Sequence, residues 1–241
     1  MSCVVYTCHN VVPLAPGTEQ RGTIDLDVFL HQLRWLNRLG VRFIPMNHFR
    51  AWLQGEKTIP KRAAVLTFDD ALISICENVF AHLKRQAIPI TIFVIAGLIG
   101  RESSFSKHRS GPTHRHLDLA QLKTLMETGL VEVGAHGYNH LDLTRLKGDD
   151  LWQELRPAKD LLEKSLNVEV PYFAYPWGGT TPAAAQKVRE AGYILAFTTQ
   201  KRKLVSTNID AMRLPRVNWG RRATLFKLFK YYLIPCVRTA G

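Results

Sequence analysis

Residues 65–70 read VLTFDD, an apolar run that ends in two adjacent aspartates, Asp69 and Asp70. Two like charges where a buried strand should finish repel each other unless a cation or a shared proton sits nearby. A complement lies at 131–143, VEVGAHGYNHLDL, where a strand-like segment ends at Gly134 and is followed by His136 and His140. On a helical turn, residues four apart share a face, so both imidazoles could reach one cation. A third stretch, PYFAYPWGG at 171–179, runs from a strand into a Pro-Trp-Gly-Gly turn. One carboxylate and two imidazoles make three protein ligands and leave open positions for water, as a catalytic zinc-type site requires. On this reading one aspartate binds the metal and the other takes a proton.

These stretches can cooperate only if the fold brings them together. Short apolar runs at 3–8, 42–45, 63–68, 90–95, 130–135, 171–175, 193–198 and 213–218 read as strands. Helical periodicity occupies 25–39, 74–86, 118–128, 149–166 and 182–191 between them. Gly40, Gly129 and Gly192 each follow a helical stretch, where a glycine ends a helix well. Strands that alternate with helices predict an α/β chain, a distorted (β/α) barrel of seven or eight parallel strands. In such a barrel the C-terminal ends of the strands open on one face, where the three stretches would converge. The polar, turn-rich segment 99–117 breaks the rhythm and reads as a long loop beside the site.

The 241 residues are 46% hydrophobic, enough to build a core without disulfides or a structural metal. No stretch approaches the ~18–20 apolar residues of a membrane span. The N-terminus, MSCVVYTCHNVVPL, lacks a basic leader and reads as a strand and not a signal peptide. Cys3 and Cys8, five apart on an extended strand, point to opposite faces and cannot share a metal. Four cysteines used this way fit free thiols in a reducing compartment, so a cytoplasmic protein is expected. The formal charge is +12, which favours polyanionic partners, although no nucleic-acid motif accompanies it and none is expected as a partner. Near the C-terminus, GRRATLFKLFKYYLIP places Leu225, Leu228, Phe229 and Tyr232 at helical spacing beside Arg221, Arg222, Lys227 and Lys230. Such a basic amphipathic helix either packs on the barrel or lies through 221–234 on an anionic membrane surface, at the inner face in a cytoplasmic protein.

LTFDD, HGYNH and FAYPWG, in this order, resemble the polysaccharide deacetylase pattern (NodB homology, carbohydrate esterase family 4). The resemblance runs from about residue 5 to 218 and implies one catalytic domain over 1–241, with 220–241 as its basic C-terminal helix and tail. It also implies metal-dependent hydrolysis of acetyl groups from the N-acetylated sugars of a glycan. Asp69 would be the general base, and Asp70, His136 and His140 would bind a divalent metal, most simply Zn²⁺. The family's late leucine-x-histidine acid is missing from RLPRVNW at 213–219, and TCHNV at 7–11 puts His9 in that role, as in members with a permuted strand order. The backbone N–H of Trp177 would stabilise the oxyanion, with Tyr175 and Trp177 flanking the sugar. Three departures stand out: Ala71 replaces a glycine, Cys8 a tyrosine, and Ala174 the arginine that orients the base, for which Arg213 or Arg216 could substitute. The same scaffold could serve an O-acetyl esterase, an amidohydrolase of a small metabolite, or a silent carbohydrate-binding protein.

Overall fold

A computed structural model describes residues 2–15, 22–103, 113–200, 209–220 and 222–233. The strands are β1 (Cys3–Cys8), β2 (Asn10–Val12), β3 (Thr23–Asp25), β4 (Arg42–Phe43), β5 (Ala63–Phe68) and β6 (Ile90–Val94). They are followed by β7 (Glu102–Ser103), β8 (His114–Arg115), β9 (Val131–Ala135), β10 (Tyr172–Ala174), β11 (Leu195–Phe197) and β12 (Val217–Asn218). Helices are α1 (Leu26–Arg38), α2 (Met46–Leu53), α3 (Phe80–Arg85), α4 (Leu119–Met126), α5 (Gly148–Leu166), α6 (Pro182–Glu190) and α7 (Leu225–Leu233). A π-helical turn, Ile75–Val79, leads into α3.

Seven parallel strands follow one another in the order β11-β10-β9-β6-β5-β1-β12, and β4 adds an eighth along β5. They form the curled, distorted barrel that the alternation of elements predicts. Strand parity explains why these runs are apolar on both faces. Cys3, Val5, Ala63, Val65, Phe93, Tyr172, Ala174, Leu195 and Phe197 fill the inside of the curl. Val4, Tyr6, Leu66, Phe68, Ile92 and Phe173 pack outward against Phe29, Leu33, Leu83, Leu122 and Leu155 of the helices. The two cysteines of β1 fall on these opposite faces, and Cys3, Cys8 and Cys76 are free thiols.

Helix α2 has no counterpart in the sequence reading. It is two turns long, starts at Pro45 without a side-chain cap, and sends Met46, Phe49 and Trp52 into the barrel interior. It thereby closes the end of the barrel opposite the strand C-termini, its first turn held by Glu132 Oε1, which accepts the Asn47 N–H at 3.1 Å. The 99–117 segment is not a plain loop. Glu102–Ser103 pairs antiparallel with His114–Arg115, and His116 bridges to Leu72 beside the two aspartates. Residues 104–112 lie outside the described residues.

The apolar stripe of α7 faces protein. Leu228, Phe229 and Tyr231 are buried, and Leu225 and Tyr232 pack against the core. The Tyr6 hydroxyl donates to the Leu228 carbonyl at 2.8 Å, and Tyr232 donates to Ala63 at 3.0 Å. Of the stretch expected at a membrane surface, Arg221 and residue 234 lie outside the described residues. No helix among the described residues is long and apolar enough to cross a membrane.

Candidate metal centre

Strand β5 pairs with β1 along its whole length, and the Asp69 N–H still donates to the Cys8 carbonyl at 2.9 Å. One residue later the backbone reverses: Asp70 has φ 70° and Ala71 φ 52°. That reversal lets two adjacent carboxylates serve different partners. It also places an alanine in the left-handed region where glycine is at ease, so the replacement of glycine at this position carries backbone strain. The Asp70 carbonyl accepts the Nδ1–H of buried His116 at 2.7 Å, and the other ring nitrogen of His116 meets Ser103 Oγ at 2.6 Å.

His136 continues β9, its N–H donating to the Val94 carbonyl at 2.8 Å. Its Nδ1 lies 2.7 Å from the Ala174 carbonyl. A carbonyl only accepts, so Nδ1 carries a proton and Nε2 is the nitrogen turned to the site. His140 is not a helical turn away from it. Residues 136–147 form an irregular loop, and His140 itself sits at φ 63°. The pair is brought together by a loop and not by helical periodicity, with ring centroids 4.9 Å apart. Both Nε2 atoms lie 3.6 Å from Asp70 Oδ1, and the three ligand atoms are all within 4.8 Å of one another. Burial, and then His136, pushes the His140 imidazole down to about 4, so it is neutral near pH 7 and able to ligate.

Asp70 Oδ1 is buried and has no hydrogen-bond partner among the described residues. A carboxylate oxygen left in that state between two imidazole nitrogens is costly unless a cation takes it up. The donor set, one carboxylate oxygen and two imidazole nitrogens, fits a divalent transition metal.

Asp69 has a different partner. The Arg216 guanidinium grips both of its oxygens, Nη1 to Oδ1 at 2.6 Å and Nη2 to Oδ2 at 2.8 Å. Arg216 is fully buried, donates also to Thr67 Oγ1 and the Thr198 carbonyl, and lies over the Phe93 ring. Of the two arginines that the sequence offered, the structure brings Arg216 to Asp69. Arg213 is half-exposed and lies 3.6 Å from Asp210 instead. Burial alone would raise the Asp69 carboxyl, but the Arg216 charge, helped by His136 and His9, holds it well below the usual carboxylate range. Its Oδ2 is 3.9 Å from His9 Nε2 and 4.0 Å from His136 Nε2, and His9 is partly open to solvent.

The Pro-Trp-Gly turn completes the rim. Trp177, at φ 63°, exposes 55% of its surface, with its ring 5.1 Å from that of His140. A Cβ on Gly178 would collide with the Thr199 side chain. Tyr175 is not brought to the site, contrary to expectation. Strand parity carries it to the outer face of β10, where it is fully buried beside Phe173 and donates to the Met212 carbonyl at 2.9 Å. Two organising residues escape the sequence reading. His116 carries no local signal. Glu154 does, since it stands on the apolar stripe of α5 between Leu151, Leu155 and Ala158, where a carboxylate needs a reason.

Comparison with known proteins agrees with this geometry. The sequence profile of the polysaccharide deacetylase family matches residues 56–196, more than half of the chain. Poly-beta-1,6-N-acetyl-D-glucosamine N-deacetylase of Staphylococcus aureus strain MRSA252 is 26% identical over 206 residues, covering 81% of this chain and 67% of its own length. The protein of that name in Staphylococcus epidermidis is 27% identical over 200 residues, 78% of this chain and 65% of the relative. The chain thus spans about two thirds of the length of these relatives. The solved structure of IcaB from Ammonifex degensii superposes with a TM-score of 0.84 at 26% identity, covering 97% of both chains. The Streptococcus pyogenes deacetylase PplD, at 23% identity and a TM-score of 0.82, shares the fold over 98% of this chain and 99% of its own.

Proposed function

The chain belongs to the polysaccharide deacetylase family, and on that premise we propose that it is a metal-dependent hydrolase removing acetyl groups from the N-acetylated sugars of a glycan. The names of the relatives point to β-1,6-linked poly-N-acetylglucosamine as the substrate class. The observation that carries the reading is the clustering of Asp70, His136 and His140 around an orphaned carboxylate oxygen, beside a second carboxylate kept ionised by Arg216.

Asp70, His136 and His140 would hold the divalent cation, for which zinc suits the donor set. When bound, it supplies Lewis acidity at the amide carbonyl and raises the acidity of water. Asp69 accepts the proton of the attacking water at Oδ2, the oxygen that faces His136 and His9. Arg216 keeps that carboxylate ionised and fixes both of its oxygens, so the acceptor does not rotate away. The Trp177 N–H donates to the oxyanion of the tetrahedral intermediate, and the exposed indole offers a face to the sugar ring. His9, protonated, gives its proton to the departing nitrogen. The C–N bond breaks, and acetate and a free amino sugar leave.

The test is acetate release from β-1,6-linked N-acetylglucosamine oligomers by the zinc-loaded protein. Asp69→Asn is expected to lose activity by at least about a hundredfold while binding zinc as the parent does. Full activity in Asp69→Asn would overturn the assignment of the base.

A further inference from the structure

Glu154 is a carboxylate buried within the apolar stripe of α5, and it makes no ion pair among the described residues. Its partners are backbone and amide N–H groups from one short loop. Asn139 N donates to Oε1 at 3.1 Å and to Oε2 at 3.0 Å, Asn139 Nδ2 to Oε1 at 2.7 Å, and Leu141 N to Oε2 at 3.4 Å. The loop wraps closely enough that a Cβ on Gly137 would lie 3.0 Å from Oε2. Between Asn139 and Leu141 stands His140, held at φ 63°.

A non-glycine residue in the left-handed region persists only where its surroundings over-determine it. Here every group that reaches Glu154 is a donor. An acceptor-only carboxylate satisfies them all, whereas the amide of a glutamine would set its NH₂ against another N–H. Burying such a group in apolar surroundings is costly, and three convergent donors offset that cost only if the loop stays in this shape. We propose that Glu154 is a positioning residue for His140: it locks residues 139–141 so that His140 Nε2 meets Asp70 Oδ1 and His136, and it thereby sets the affinity of the cluster for a divalent cation. This rests on the reading of Asp70, His136 and His140 as metal ligands.

The experiment titrates zinc alone, against a fluorescent chelator, into metal-free full-length protein, with the visible spectrum of the cobalt-substituted protein as a second readout. Four chains are compared: the parent, Glu154→Gln, His140→Ala, and Leu162→Ala as a core substitution elsewhere on α5. Glu154→Gln is expected to weaken zinc binding by about 10–100-fold, the usual consequence of losing an outer-shell partner, and to shift the cobalt spectrum. Leu162→Ala is expected to lower the melting temperature but to leave zinc affinity within about twofold, because it touches stability and not the loop. If Glu154→Gln does not fold, Asn139→Ala replaces it. Asn139 is exposed, and its loss removes the 2.7 Å amide bond alone, with a weakening of about 3–10-fold expected. Zinc affinity within twofold of the parent in a folded Glu154→Gln chain (or, failing that, in Asn139→Ala) overturns the inference while the ligand reading stands. A parent that binds zinc no more tightly than His140→Ala overturns both.

Discussion

The top of the barrel and the flank covered by α7 are built on opposite principles. At the strand ends, polar groups are buried and, Asp70 Oδ1 apart, held by one another: Asp69 by Arg216, His136 by the Ala174 carbonyl, the Asp70 carbonyl by His116, and the His140 loop by Glu154. Along α7, apolar groups are buried and the lysines remain at the surface. Polar burial demands particular partners at particular distances, because a partly satisfied network in a low-dielectric interior is worse than none. Apolar burial only requires contact. Substitutions at the top are therefore expected to act strongly and one by one, and those on the α7 surface weakly.

The largest effect is expected at Arg216. Arg216→Met leaves the Asp69 carboxylate buried and unpaired, which costs about 3–5 kcal/mol, read as a lowered urea midpoint. The pH dependence sharpens the point. The folded-state pKa of Asp69 lies below its usual value of 3.8, so its contribution is fully present above that pH and is lost as pH falls through the lower, folded value. The parent should hold this part of its stability down to pH values well below 3.8, whereas Arg216→Met should begin acid unfolding at higher pH. Coincident acid transitions for the two chains would show that the ion pair does not stabilise the fold, and the contrast between the two regions would lose its strongest case.

The same contrast explains what could be read from sequence. β1 and β5 match the apolar runs 3–8 and 63–68 end to end, because runs buried on both faces and bounded by polar residues leave little choice of register. Helix α2 has two turns and no capping side chain, so neither periodicity nor a start signal marks it. At the site, residue types were legible and conformations were not. The i, i+4 spacing of His136 and His140 predicts a shared helical face, but the pairing is made by a loop with His140 at φ 63°. Tyr175 and Trp177, two apart, would share a face on an extended strand. The positive φ of Trp177 divides them, one into the core and one to solvent. Choosing Arg216 over Arg213 needed the side-chain direction near β12, which two arginines three apart on an irregular stretch do not reveal.

A smaller effect tests the strain at the strand end. Ala71 holds φ 52° in a buried position where the family usually carries glycine. Ala71→Gly is expected to stabilise the chain by about 0.5–1 kcal/mol, a net of relieved left-handed strain over the added entropy of the unfolded chain. Thermal melts of the metal-free protein would measure it. A lower melting temperature would mean that the Ala71 methyl contributes more by packing than its backbone loses.

The smallest effect belongs to α7, where the sequence left two partners open for one amphipathic pattern. The structure commits Leu228, Phe229 and Tyr231 to the barrel, and this leaves Phe226 at 69% exposure and Leu233 at 57% on the outward side, beside Lys227 and Lys230. Two isolated apolar side chains are a modest hydrophobic signal, since single exposed ones are ordinary on protein surfaces. Phe226→Ser with Leu233→Ser is therefore expected to change stability by less than about 0.5 kcal/mol. It should also leave sedimentation with anionic vesicles equal to that of the parent, any binding of both coming from net positive charge and fading with salt. A clear loss of vesicle binding in the double variant would instead make the outward face of α7 a membrane contact. The flank would then, like the site, depend on particular residues, and the comparison would fail at its weaker end.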